Sequence, residues 1–186
     1  MPTSRVIVNL SGDFAMRQTL VVAVVLVGLS MLAGCTTYSN VPAQPGDIAR
    51  NDPNDAPVRQ IMAAALEAVA ADQPMERLAI VLPAGTSPAN YDWIVPQVSK
   101  GAMWSAEPLD PSIPVLEVRQ VRLRGWRAQA DIIRPFAADP SRQELVTVYL
   151  KTYGLGDWAV TNLRVWRGSL EDALRESAQL ESDVAP

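Results

Sequence analysis

The apolar residues of this chain change period near its middle, and that change restricts the fold more than any other feature. Val58, Ile61, Met62, Ala65, Leu66 and Val69 recur at the spacing that lines one face of an α-helix. From Val115 onward the repeat is close to two, the period of a strand with one buried face. Four strands are expected there, over 115–123, 126–134, 144–151 and 158–166. Arg124-Gly125 separates the first pair and Gly154-Leu155-Gly156 the last pair. Glycine supplies the positive φ that short hairpin turns need. Pro135 to Ser141 reads as a longer loop between the middle strands.

The alternation switches parity twice. Leu116 and Val118 share one parity, whereas Val121 and Leu123 share the other; Val160 is followed by the same switch to Leu163 and Val165. Either these strands are buried on both faces, or each carries an extra residue that resets the alternation and bends the sheet. The polar residues Arg119, Gln120 and Asn162 at the switches favour bulges.

Asp55 is placed to cap the first helix, Pro57 suits its first turn, and Pro74 ends the segment. Leu78 to Leu82 reads as a buried strand closed by Pro83 and Gly85. Ser87-Pro88 is a cap followed by proline, predicting a short helix over 89–95 that Pro96 disturbs. Residues 101–114 hold three prolines and read as an irregular connection. Ser169, followed by Glu171 and Asp172, opens a last, weakly apolar helix. The expectation is an α+β domain over 55–186: an N-terminal helix packed on a curved, four-stranded antiparallel sheet, with a short C-terminal helix. Its element order resembles cystatin-like and NTF2-like architectures, a likeness of order alone.

The N-terminal region has a different character. Arg17 precedes an apolar run from Thr19 to Leu32, and Leu32-Ala33-Gly34 leads into Cys35, the single cysteine. The run is short for a membrane span, which needs ~20 residues, and it ends in polar residues without a basic stop-transfer cluster. The stretch 32–35 resembles the lipobox of bacterial lipoproteins. That resemblance implies a signal peptide over 1–34 and a lipid such as palmitate on Cys35. It also implies attachment to the cell envelope, and Thr36 after the cysteine leans towards the periplasmic face of the outer membrane. Asp13 is unlike a signal n-region, so Met16 is an alternative start. Thr36 to Asn54, with Pro42, Pro45, Gly46 and Pro53, reads as a flexible tether spanning 35–54 with the cysteine.

Composition then removes classes of chemistry. With one cysteine there is no internal disulfide, so the fold rests on its core. There is no histidine, which removes the commonest general base and transition-metal ligand together. Serine–lysine schemes would have to use Lys100 or Lys151, neither of which lies in a nucleophile motif. Asp47, Asp52 and Asp55 lack the dense spacing of a calcium loop. No cofactor is implied. The formal net charge of −4 gives no general attraction for nucleic acid.

Three constellations remain. Glu117, Asp131 and Glu144 fall on neighbouring expected strands, as a histidine-free carboxylate hydrolase would require; ion pairs with adjacent arginines are the plainer reading. Met62, Leu66, Trp126 and Trp158 could line the pocket of a small apolar-ligand carrier, although core packing is the default for tryptophans at strand starts. Arg119, Arg122, Arg124, Arg127 and Arg134 concentrate positive charge on the first two strands, with Arg122 and Arg127 nearly opposite. Arg119, Arg122, Arg124 and Arg127, with Trp104 as the tryptophan expected to be exposed, form a candidate surface for an envelope protein or another anionic partner. The function that follows is a lipid-anchored, non-catalytic envelope protein with a binding or assembly role.

Overall fold

The computed structural model describes residues 38–44, 49–105, 110, 112–153, 156–166 and 168–182. Cys35 and the expected signal peptide lie outside these residues, as do Gly154 and Leu155. Contacts divide the chain into Met1–Thr36 and Thr37–Pro186, and all described residues belong to the second unit.

Helix α1 (Ala56–Asp72) forms as its periodicity predicts, with Val58, Ile61, Met62, Ala65, Leu66 and Val69 all buried. Asp55 occupies the N-cap position, but its carboxylate makes no capping bond. Helix α2 (Pro88–Val98) begins at the expected Ser87 cap, whose hydroxyl accepts from the Asn90 amide at 3.4 Å. It runs through Pro96, three residues beyond the expected end, and the burial of Ile94, Val95 and Val98 accounts for its persistence. Helix α3 (Leu170–Ser182) opens on a side-chain cap. Ser169 Oγ accepts from the Asp172 amide at 3.1 Å and donates to Asp172 Oδ2 at 2.6 Å.

The sheet departs from expectation: it has seven strands and is mixed. They are β1 (Tyr38–Val41), β2 (Leu78–Val81), β3 (Ala102–Met103), β4 (Val115–Arg124), β5 (Arg127–Phe136), β6 (Asp139–Lys151) and β7 (Ala159–Val165). The antiparallel meander β4-β5-β6-β7 is the four-stranded part foreseen from the sequence. Parallel pairing of β2 with β3 and with Val115–Glu117 of β4, and antiparallel pairing of β1 with Val121–Arg124, extend it. Two short strands therefore share one edge of β4. Residues 38–41, expected within a flexible tether, are strand, and Ser39, Asn40 and Val41 are buried there.

The β4–β5 turn is displaced by one residue from its expected place, and the β5–β6 hairpin is tighter than expected. Gly125 and Trp126 form the β4–β5 turn, with φ of 58° at Gly125, so Arg124 lies opposite Arg127 and Arg122 opposite Gln129. Between β5 and β6 pairing continues through Pro135 and Gln143, with a register shift beside Phe136. Proline there removes one ladder donor without ending the strand.

Both parity switches are bulges. The β4–β5 register shifts between Val118 and Gln120, leaving Arg119 as the extra residue. The β6–β7 register shifts between Tyr149 and Leu150, leaving Thr161 as the extra residue. Leu116, Val118, Val121 and Leu123 consequently all join the core under α1, with Ala128, Ala130, Ile132, Val146, Val148 and Leu150 from the next strands. On the opposite face a smaller cluster of Ile133, Leu145 and Trp166 packs against Ala173 of α3.

Gly101 permits β3 to dock beside β2: a Cβ there would stand 1.9 Å from the Glu76 carbonyl oxygen. Gly101→Ala must move backbone to fit, and overpacking of this kind costs about 1–3 kcal/mol. A lower urea midpoint with an unchanged m-value is expected, and a native midpoint would show that the close approach is not required.

Candidate functional site at the basic end of the sheet

Strand register places a row of cations across one end of the sheet. Tyr38 on β1 pairs with Arg124 on β4, which pairs with Arg127 on β5, which pairs with Lys151 on β6. Adjacent strands lie about 4.8 Å apart, so three basic residues fall within roughly 10 Å at the backbone. They share the face turned away from α1, because their neighbours Leu123, Ala128 and Leu150 enter the core. Like charges placed opposite one another repel, and aromatic rings accompany two of them. The Arg124 guanidinium lies 5.4 Å from the Tyr38 ring centre, and Lys151 Nζ lies 4.5 Å from that of Tyr153.

Two large aromatic residues project at this end. Trp126, in the turn, is 59% exposed and Tyr153 is 78% exposed. The turn is held by the Thr152 amide, which donates to the Trp126 carbonyl at 3.0 Å. Thr152 Oγ1 in turn donates to the Gly156 carbonyl at 2.9 Å. Trp126 was expected in the core as a strand's first residue; shifting the turn by one residue removes it from the strand and exposes it.

The five residues proposed from the sequence as a partner surface separate in space. Arg124 and Arg127 belong to the basic row. Arg119 occupies the bulge, exposed and 3.7 Å from Glu117. Trp104 is half-buried, stacked on Tyr91 with ring centres 4.6 Å apart, and its indole donates to Asp92 at 3.0 Å. Arg122 is buried and bonds Asp131 at 2.5 Å. Arg122 is therefore committed to the interior and Trp104 is more covered than expected, whereas Tyr38, Trp126, Lys151 and Tyr153 stand beside Arg124 and Arg127 without having been singled out for a partner surface from the sequence. The strand register of Lys151 against Arg127 was the available signal.

Arg122 anchors a polar chain through the second face of the sheet. Thr147 Oγ1 donates to Asp131 Oδ1 at 2.6 Å, and the Trp166 indole donates to Thr147 Oγ1 at 2.9 Å. On the other side Arg122 Nη1 donates to Gln120 at 3.3 Å, and Gln120 Nε2 donates to Asn40 at 2.9 Å. The chain ties β1, β4, β5 and β6 to the residue that follows β7.

The three carboxylates do not assemble into a hydrolytic pair. Asp131 has both oxygens engaged, by Arg122 and Thr147. Glu144 lies on the opposite face, where Arg134 Nε donates to it at 2.7 Å and Arg134 Nη1 to Asp72 of α1 at 2.6 Å. Glu117 is beside Arg119. Nor do Met62, Leu66, Trp126 and Trp158 line one cavity. The first two are wholly buried, Trp158 packs at the edge of the core and Trp126 is outside it. An open groove of about 800 Å³ lies at the other end of the sheet, between Pro114, Pro135, Arg142, Gly168 and Leu170. Beside it, hydrogen bonds from the Ser141 hydroxyl and amide hold the Asp139 carboxyl below its ordinary pKa. Among the described residues, no group of three or more acidic, histidine or cysteine residues is placed to hold a metal ion.

Removing one partner of a buried ion pair leaves an uncompensated charge, at a cost of about 3–5 kcal/mol. Asp131→Ala is expected to lose that much in urea unfolding. The apolar double variant Arg122→Met/Asp131→Leu is expected to recover most of it. Equal loss in both variants would show that the polar chain, rather than the isolated charge, carries the effect.

None of the family models, curated proteins or solved structures compared with this chain matches it.

Proposed function

We propose that this chain is a lipid-anchored protein of the bacterial cell envelope, with a domain that binds or supports assembly rather than catalysing a reaction. The observation that carries the reading is the sequence Leu32-Ala33-Gly34-Cys35 behind an apolar run. The short span and polar exit favour a cleaved signal over a retained helix. Thr36 supports the outer membrane as the destination.

The domain's chemistry supports a binding role. Asp131 and Glu144 are committed to arginines that join structural elements, so they serve the scaffold. The groove between the β5–β6 hairpin and the start of α3 mixes apolar and polar lining, which suits a segment of protein better than a small apolar ligand. The first helix and the four-strand meander support a likeness of element order to cystatin-like and NTF2-like architectures, to which β1, β2, α2 and β3 are additions. Such a scaffold is compatible with many functions.

Mass spectrometry of the N-terminal peptide from membrane-purified protein tests the anchor. The expected peptide begins at Cys35 and carries a diacylglyceryl and an acyl group, and metabolic palmitate label is lost in Cys35→Ser. An unmodified Cys35 thiol in the membrane-purified protein would overturn the reading.

A further inference from the structure

We propose that the Tyr38–Arg124–Arg127–Lys151 end of the sheet is a docking face for the anionic phospholipid surface that holds the Cys35 lipid. The proposal rests on the lipid-anchor reading and adds an orientation to it. Strand β1 begins at Tyr38, three residues after Cys35. Three residues of chain span at most about 11 Å, so an acylated Cys35 keeps Tyr38 within that distance of the anchored residue. The long tether expected from the sequence is therefore replaced by a short leash. Tyr38 is opposite Arg124, at the end that carries Arg127, Lys151, Trp126 and Tyr153.

The chemistry of that end fits a headgroup layer. Tryptophan and tyrosine favour the membrane interface because an apolar body and a polar tip are satisfied there together. Trp126 and Tyr153 are the two most exposed large apolar residues at this end. Each basic residue close to an anionic surface strengthens association by roughly fivefold. The chain as a whole is acidic, with a formal net charge of −4, and an anionic surface repels it in most orientations. Asp139, Glu171 and Asp172 lie towards the opposite end, around the β5–β6 hairpin and the start of α3. Asp157 is the described carboxylate in the β6–β7 connection at the basic end. Attraction at one end and repulsion at the other select a single orientation.

The test uses mature protein purified from membranes and reconstituted into two vesicle types, phosphatidylcholine alone and phosphatidylcholine with a minority of phosphatidylglycerol. Each is made with and without brominated acyl chains, which quench nearby tryptophans. The difference between native protein and Trp126→Phe isolates the Trp126 signal. Quenching of Trp126 is expected to be roughly twofold or more greater with phosphatidylglycerol. High salt should remove the increment, and so should Arg127→Glu/Lys151→Glu, whose thermal unfolding reports that the fold is kept. Acylated Cys35 with Trp126 unquenched in both vesicles would overturn the docking face and leave the anchor intact. Unmodified Cys35 with phosphatidylglycerol-dependent quenching would overturn the anchor and leave the docking face standing. Trp126 unquenched in vesicles but shielded in native membranes would assign the face to an acidic protein and overturn the proposal.

Discussion

The extra residue at Arg119 decides what each face of the sheet contains. Side chains alternate along a strand, so an uninterrupted β4 that buries Leu116 and Val118 would also turn Gln120, Arg122 and Arg124 towards α1. The bulge resets the count. Val121 and Leu123 follow Leu116 and Val118 into the core, while the polar series turns to the second face. Thr161 resets β7 in the same way against β6. Without these two residues the helix would have to cover arginines, at a desolvation cost that no single apolar contact offsets.

A charged second face needs its own organisation, and the Arg122–Asp131 pair supplies it. Buried ion pairs contribute little net stability compared with apolar residues of similar size. Their energetic asymmetry is useful in another way. Slipping β5 by one residue against β4 would move Asp131 away from Arg122 and Thr147 and turn its carboxylate towards the apolar core. The pair therefore penalises wrong register more than it rewards the right one. Through Gln120 and Asn40 the same chain of bonds reaches β1, a strand of only four residues that has little apolar surface of its own. Arg134 plays a comparable part on the first face, joining the end of α1 to β6 through Asp72 and Glu144.

Features set by near neighbours were legible in the sequence. The apolar stripe of α1, the Ser87 and Ser169 caps, the four-strand meander and both bulges depend on residues a few positions apart. Features set by distant partners were not. Strand β1 reads as a polar linker because Tyr38-Ser39-Asn40-Val41 has no periodic signal, and its order comes from β4, some 80 residues later. The parallel pairing of β2 leaves no hairpin signature, since parallel strands are joined by crossovers. The candidate site divides along the same line. Arg124 and Arg127 were legible because they belong to the concentration of arginines along the first two expected strands. Trp104 was misjudged because Tyr91 and Asp92, on a separate helix, decide its exposure. Lys151 and Tyr38 join the site only through strand register, Lys151 through β5 and Tyr38 through β4.

The order of β1 bears on how an anchored domain would be presented. A disordered tether would let the domain tumble and sample partners at a distance, with orientation left free. If Cys35 is the anchored residue, a strand beginning three residues after it would remove that freedom, because β1 is locked in register against β4. In the anchored reading, the end of the sheet bearing Tyr38 and Trp126 lies beside the bilayer. The open groove near Pro114 and Leu170 lies beyond the opposite end of β4. Ten residues of strand at about 3.3 Å each separate the two ends by roughly 30 Å. That distance exceeds the reach of salt-screened attraction between exposed charges, about 10 Å at moderate ionic strength. A partner held in the groove would feel little of the headgroup charge, whereas the basic row would feel nearly all of it. The antiparallel geometry of β1 and β4 thus places the basic row and the open groove at opposite ends of one sheet.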